Sequence, residues 1–191
     1  LCQEAFRKWL ENKYKTIEAL NDSWCTTFWS HTYDSFSQVE SPSTLGERSV
    51  LALLLDWKRF SSDQTIDFMG QEIAALRAAG SDKPVTTNLM YRFNDIDYFK
   101  MAQKLDIASW DSYPEWHRGG QGEWEAAQET AFWHDVIYGL KQKPFLLMES
   151  CPGATNWQAV SKLKKPGMVE AASLQSIAHG ADGAMYFQLR K

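Results

Sequence analysis

Cysteine is scarce in this chain: Cys2, Cys25 and Cys151 are the only three in 191 residues. An odd, sparse set builds no disulfide framework and fits a reducing compartment. Positive charge is not in excess either, the formal net charge being −4. That balance excludes a general nucleic-acid or anionic-membrane binder, so neither is expected as a partner. Apolar runs are short, none near the ~20 residues of a membrane span, and no signal-like segment opens the sequence. The glycine-rich turns G-x-G-x-x-G and G-x-x-x-x-G-K are missing, and with them the usual nucleotide-binding signals.

What is abundant is aromatic: 14% of the residues, nine of them Trp, within a chain that is 44% hydrophobic and 23% charged. That composition and length suit one globular domain with a real core. Several Trp must pack there. Trp24, Trp29, Trp110, Trp116, Trp124 and Trp157, however, stand at element ends or in polar, turn-like surroundings. A flat apolar face with one N–H donor suits a sugar ring, which has apolar C–H faces and a polar rim, and the group is read as candidate sugar platforms.

Periodicity divides the chain. Phe6, Trp9, Leu10 and Tyr14 recur at helical spacing, and Thr16 can cap a short helix through Leu20. Residues 24–45 show no clear period and read as a long loop. Leu53, Trp57 and Phe60, then Met69, Ile73 and Leu76, mark a long helix ending at Gly80. From there strands and helices alternate: strands over 85–89, 107–113, 145–149 and 184–189, helices over 97–105, 123–140 and 167–179, with Pro166 near the first turn of the last helix. Alternation of this kind means parallel βαβ units with right-handed crossovers. The fold class is therefore α/β, the C-terminal half of a TIM (β/α)8 barrel, since four such units are half of one. A doubly wound open sheet is the competing architecture. Residues 1–50 are a helical and loop insertion at the N-terminal end, and 51–191 are a helix plus the four strands with their connecting helices. Leu1 falls inside an amphipathic helix, so the chain reads as a piece of a longer protein.

The sharpest local signal is Lys143 to Gly153. Phe145 to Met148 is a short apolar run bounded by Pro144 and by Pro152-Gly153, read as a strand buried on both faces, and Glu149 stands where it stops. In parallel α/β folds the C-terminal strand ends open onto the active site. A structural ion pair is the plainer use of such a carboxylate. The other strand ends carry Asn88, Asp111 with Tyr113, and Phe187 with Gln188 and Arg190. Polar and aromatic groups around a carboxylate suit polyol recognition. A glycosidase needs two carboxyls, about 5–5.5 Å apart in retaining enzymes. Asp111 is a candidate for the second, although Trp110 and Tyr113 beside it make a pocket wall the better reading. A Cys151–His179 nucleophile and base has no spacing to support it, and His31, His117 and His134 have no metal-ligand spacing.

Taken in order, Cys2 to Leu10, Tyr14 to Asn21, Phe28-Trp29-Ser30, Pro84 to Asn88, Asp97 to Lys100, Ser109 to Pro114, Lys143 to Gly153, Asn156-Trp157, and His179 to Gly183 with Tyr186-Phe187 resemble glycoside hydrolase family 42 along essentially the whole chain. Its members are β-galactosidases of the large retaining clan with (β/α)8 catalytic domains. The resemblance implies that Glu149 is the nucleophile, at the end of the seventh strand, and that Trp29, Tyr113, Trp157 and Phe187 line the galactose subsite. It places the acid/base Glu upstream of Leu1, leaving the fragment alone inactive. It also implies that catalysis needs no cofactor, and that Cys2 matches the last cysteine of a structural zinc cluster in a longer parent. Cys151 stands where the family more often has Gln. The family tendency is a cytoplasmic homotrimer acting on galactosides. The alternatives are a related retaining glycosidase, such as an α-L-arabinopyranosidase, and a non-catalytic sugar-binding module.

Overall fold

The computed structural model describes residues 1–43, 50–116, 122–155 and 163–188, apart from the Trp29 side chain. The chain forms two compact units, one of residues 1–69 with 94–97, the other of residues 70–93 with 98–191. Their boundary falls inside one long helix.

The first unit is helical. Helix α1 (Cys2–Tyr14) and α2 (Ile17–Trp24) bury residues four apart, Phe6 with Leu10 and Leu20 with Trp24. Thr16 caps α2 by accepting from the Ala19 N–H at 3.2 Å. The first part of α3 (Leu51–Ala78) adds Leu53 and Phe60 to this core, and Val39 reaches it from the loop. Two short 3₁₀ turns, Phe28–Ser30 and Phe36–Gln38, are the only regular pieces among the described residues of that loop. Gln3 and Arg7 tie it to α1 by donating to the Val39 carbonyl, each at 2.8 Å. Trp24 is no sugar platform. It is buried, and its indole N–H donates to Asp56 and to the Tyr14 hydroxyl, both at 3.1 Å.

The second unit is a parallel sheet with helices. Its strands are β1 (Asn88–Leu89), β2 (Ser109–Ser112), β3 (Phe145–Ser150) and β4 (Ala181–Ala184), in spatial order β1-β2-β3-β4 and all parallel. Helices α4 (Tyr98–Ala102), α5 (Glu123–Lys141) and α6 (Met168–Ala178) connect them. Order in space follows order in the chain, so every crossover steps the same way. Right-handed connections then place all the helices on one face of the sheet. A doubly wound sheet must reverse its order at a switch point, and this one does not. The unit is part of a (β/α)8 barrel.

The elements differ from the sequence reading at their ends. Helix α3 stops in a Schellman motif: the Gly80 N–H donates to Arg77 C=O at 2.9 Å and Ser81 N–H to Leu76 C=O at 3.1 Å, with Gly80 at φ 87°. Strand β1 is only two residues long. The Val85 N–H is taken by the Asp106 carboxylate at 2.7 Å and the Thr86 hydroxyl donates to Ile107 C=O at 2.8 Å, so side chains take part of the ladder there and the backbone contact is left to Val85 C=O, which accepts from Asp106 N–H at 2.9 Å and Ile107 N–H at 3.4 Å. The last strand begins at Ala181, three residues before the expected start, because Gly180 (φ 97°) turns the chain directly out of α6 into the sheet. Strand β3 is not buried on both faces. Phe145 and Leu147 are buried, whereas Leu146 and Met148 are half-buried.

Candidate active site

Glu149 lies at the C-terminal end of β3, and the neighbouring strands bring its partners. The Tyr113 hydroxyl, one residue past β2, donates to Glu149 Oε2 at 2.6 Å. From β1, Asn88 Nδ2 donates to Glu149 Oε1 at 3.1 Å and to Asp111 Oδ1 at 2.8 Å. One amide nitrogen thus spends both its hydrogens on two carboxylates. The pairing of Asp111 with Glu149 comes from an irregularity in β3. Trp110 pairs with Leu147 and Asp111 with Glu149, so Met148 is an extra residue on β3. Bulges of this type re-aim side chains; in regular register Met148 would face Asp111.

Burial, reinforced by the charge of Glu149 and opposed by the Asn88 hydrogen bond, pushes the Asp111 carboxyl up to about 6. Burial and the Glu149 hydrogen bond raise the Tyr113 phenol, which keeps it a permanent donor. The group borders a cleft of about 480 Å3 lined by Met90, Tyr91, Tyr113, Glu115, Glu129 and Glu149 among others, a volume that suits a small ligand. Asp111 shares its donor with Glu149. It is therefore a companion on the same side of the cleft, not an acid facing Glu149 across a scissile bond. Phe187 follows β4 and donates its backbone N–H to Ser150 C=O at 2.9 Å, which brings it to the same sheet end, 44% exposed.

The other sequence-marked residues separate. Trp157, Arg190 and His117 lie outside the described residues, as does the side chain of Trp29. Trp110 is 1% exposed and packs edge-on against His134 at 5.1 Å, which corrects its reading as a turn-borne platform. His134 is a core residue, its titration pushed down to about 4 by burial and then by His179. Cys151 is buried with its Sγ donating to Gly153 C=O at 3.1 Å, and His179 pairs with Asp135 at 2.7 Å. Each has its own partner, so they form no nucleophile and base. Cys2 is exposed at the start of α1, and no three His, Cys, Asp or Glu side chains cluster for a metal among the described residues.

The sequence model of glycoside hydrolase family 42, described as β-galactosidase, matches residues 1–191. The chain belongs to that family. The β-galactosidase BglY of Alicyclobacillus acidocaldarius is 54% identical over 191 residues, all of this chain and 28% of BglY. GanA of Bacillus subtilis, also named a β-galactosidase, is 47% identical over 198 residues, again all of this chain and 30% of GanA. Among solved structures, the cold-adapted β-galactosidase of Rahnella sp. R3 superimposes with a TM-score of 0.95 at 54% identity, over 100% of this chain and 28% of that one. A catalytic mutant of Gan42B, a family 42 β-galactosidase from G. stearothermophilus, gives 0.94 at 49% identity, over 100% and 29%. The chain thus spans less than a third of the length of these relatives.

Within this family 42 chain, sequence reasoning missed the helix side of the cleft. Ala126, Glu129 and Thr130 of α5 line it, and Arg92 pairs with Glu129. No signal distinguished Glu129 from the other acidic residues of α5, because a 3.6-residue period marks which face is apolar and not which polar residue meets a cleft.

Proposed function

We propose that this chain is the part of a retaining β-galactosidase that supplies the nucleophile, and that the whole protein removes terminal β-D-galactose from galactosides. The observation that carries the reading is Glu149: a strand-end carboxylate whose two oxygens each accept one hydrogen bond, from Tyr113 and from Asn88, at the edge of a ligand-sized cleft. The family names of the relatives support the same reaction.

In the proposed first step a Glu149 oxygen attacks the anomeric carbon. The bond to the leaving oxygen breaks, and an acid/base Glu upstream of Leu1 protonates that oxygen, giving a covalent galactosyl-enzyme. In the second step the same Glu, now a carboxylate, takes a proton from water as the water attacks, and Glu149 leaves. Tyr113 and Asn88 fix the direction of the attacking lone pair. Trp29, Trp157, Phe187 and the Tyr113 ring are proposed to line the galactose subsite. Both steps run on carboxyl groups alone. A zinc held through Cys2 is proposed as structural, and it requires ligands beyond the described residues. The whole protein is proposed to be a cytoplasmic homotrimer. Among the described residues no helix is long and apolar enough to cross a membrane.

The deciding measurement is mass spectrometry of the full-length protein after treatment with a 2-deoxy-2-fluoro-galactoside carrying a good leaving group. The expected label is on the peptide containing Glu149. In a Glu149→Ala variant the rate falls by at least about 10³-fold, and azide restores part of it with an α-galactosyl azide product. A label elsewhere, together with near-normal activity in that variant, overturns the assignment. Preferential turnover of an α-L-arabinopyranoside would move the substrate and keep the mechanism.

A further inference from the structure

The strand order β1-β2-β3 sets a problem of reach for Asn88. Neighbouring strands lie ~4.8 Å apart, so β1 and β3, with β2 between them, are separated by about 10 Å. Asn88 on β1 nonetheless brings its Nδ2 within 3.1 Å of Glu149 Oε1 on β3. Its side chain crosses the middle strand, and there Asp111 Oδ1 accepts from the same nitrogen at 2.8 Å. The backbone does little to fix that reach, since β1 gives the ladder only Asn88 and Leu89. Side chains of β2 do more. Ser109 Oγ donates to Thr87 C=O at 2.8 Å, and Asp111, two residues on and so on the same face of β2, meets Asn88 itself.

The chemistry of Asp111 suits this hold. An ionised carboxylate offers only acceptors, whereas an amide can turn either its nitrogen or its oxygen toward a neighbour. Between two carboxylates only the nitrogen, with its two hydrogens, satisfies both sides. Asp111 thus removes the other rotation of the Asn88 amide, in which the oxygen would face Glu149. The extra residue on β3, Met148, is what brings Asp111 opposite Glu149. Stability does not explain the arrangement. Burial and then the Glu149 charge raise the Asp111 carboxyl, and an acid raised by folding works against the fold at neutral pH. A group that costs stability beside a cleft is a candidate for function.

We propose that Asp111 is a positioning residue for the nucleophile: it holds the Asn88 amide nitrogen across β2, and so keeps the Glu149 carboxylate in one rotation during attack on the anomeric carbon. Asp111 acts through Asn88 and touches neither the sugar nor the reacting atoms. The proposal rests on the reading of Glu149 as the nucleophile of a galactosidase.

The test is a double-mutant cycle in the full-length protein, with Asn88→Ala, Asp111→Ala and the pair together. Two rates are read: turnover of a nitrophenyl galactoside, and covalent labelling by a 2-deoxy-2-fluoro-galactoside, which reports the first step alone. Asp111→Ala is expected to lower kcat and the labelling rate about tenfold or more, the size of a lost hydrogen bond to a charged group, with KM within about twofold. Asp111→Asn, whose oxygen still accepts from Asn88, stays within about threefold of the parent. The double variant is no slower than Asn88→Ala alone. If Asp111→Ala does not fold, Asp111→Ser, with a side chain too short to reach Asn88, takes its place in the cycle. Rates that multiply across the cycle, a rise in KM with kcat kept, or normal rates in Asp111→Ala each overturn the proposal while the label stays on Glu149. A label on another residue of the parent removes the nucleophile reading and the proposal with it, so the two failures are distinct.

Discussion

At the residue scale the site turns on one amide. Asn88 holds Glu149 and Asp111 with a single nitrogen, and the Tyr113 hydroxyl holds the other oxygen of Glu149. Replacing Tyr113 by Phe removes a hydrogen bond to a charged group, worth ~1.5–3 kcal/mol. In the full-length protein we expect kcat to fall about ten- to a hundredfold, with KM for a nitrophenyl galactoside little changed; a fall in KM-derived affinity alone would assign Tyr113 to binding. Asp111 makes a prediction about pH. Its carboxyl is raised from 3.8 to about 6 by burial and then by Glu149. A raised acid favours folding fully below its unfolded value, and that contribution is lost as pH rises through the folded value. Asp111→Asn is therefore expected to raise the melting temperature near neutral pH and to change it little below about pH 4. The opposite order in a pair of thermal scans rejects the crowding of Asp111 by Glu149. Glu149 was legible in the sequence because an apolar run stops at it between two prolines. The joint hold of Asn88 was not, since the two are 61 residues apart and only the register of three strands brings them together.

At the scale of elements, the strands and helices were legible in kind and order, and least legible at their ends. The 85–89 strand shrank to Asn88–Leu89 because side chains of Thr86 and Asp106 intercept its ladder, a competition that apolar patterning does not record. The last strand was placed late because Ala181-Asp182-Gly183-Ala184 carries none of the branched or aromatic residues that mark strands. Pairing with β3 decides it instead. Gly180 is the joint that makes this possible. Its φ is 97°, and a Cβ there would lie 2.7 Å from Tyr138 Cδ2. Gly180→Ala is expected to destabilise the full-length protein by roughly 2–4 kcal/mol, from the left-handed backbone and the ring clash together. Adding Tyr138→Ala should return only the steric part in denaturant melts. Full recovery would mean that the backbone conformation is unimportant.

At the scale of the whole molecule, the chain covers 28% of BglY, and the acid/base Glu is proposed to lie upstream of it. Residues 1–191 expressed alone are expected to hydrolyse a nitrophenyl galactoside at least about 10³-fold more slowly than a full-length relative, since general acid catalysis alone contributes about 10²–10⁴. Comparable turnover would place the second carboxyl inside the chain. The unreversed strand order has a different consequence. The residues around Glu149 enter one strand at a time: Asn88 with the first, Asp111 and Tyr113 with the second, Glu149 with the third and Phe187 after the fourth. The pocket is therefore written along the gene as separate consecutive cassettes. Recombination at a loop would exchange one wall of the cleft and leave its neighbours as they were, so the specificity of such a pocket can change by the shuffling of short inherited pieces as well as by point mutation.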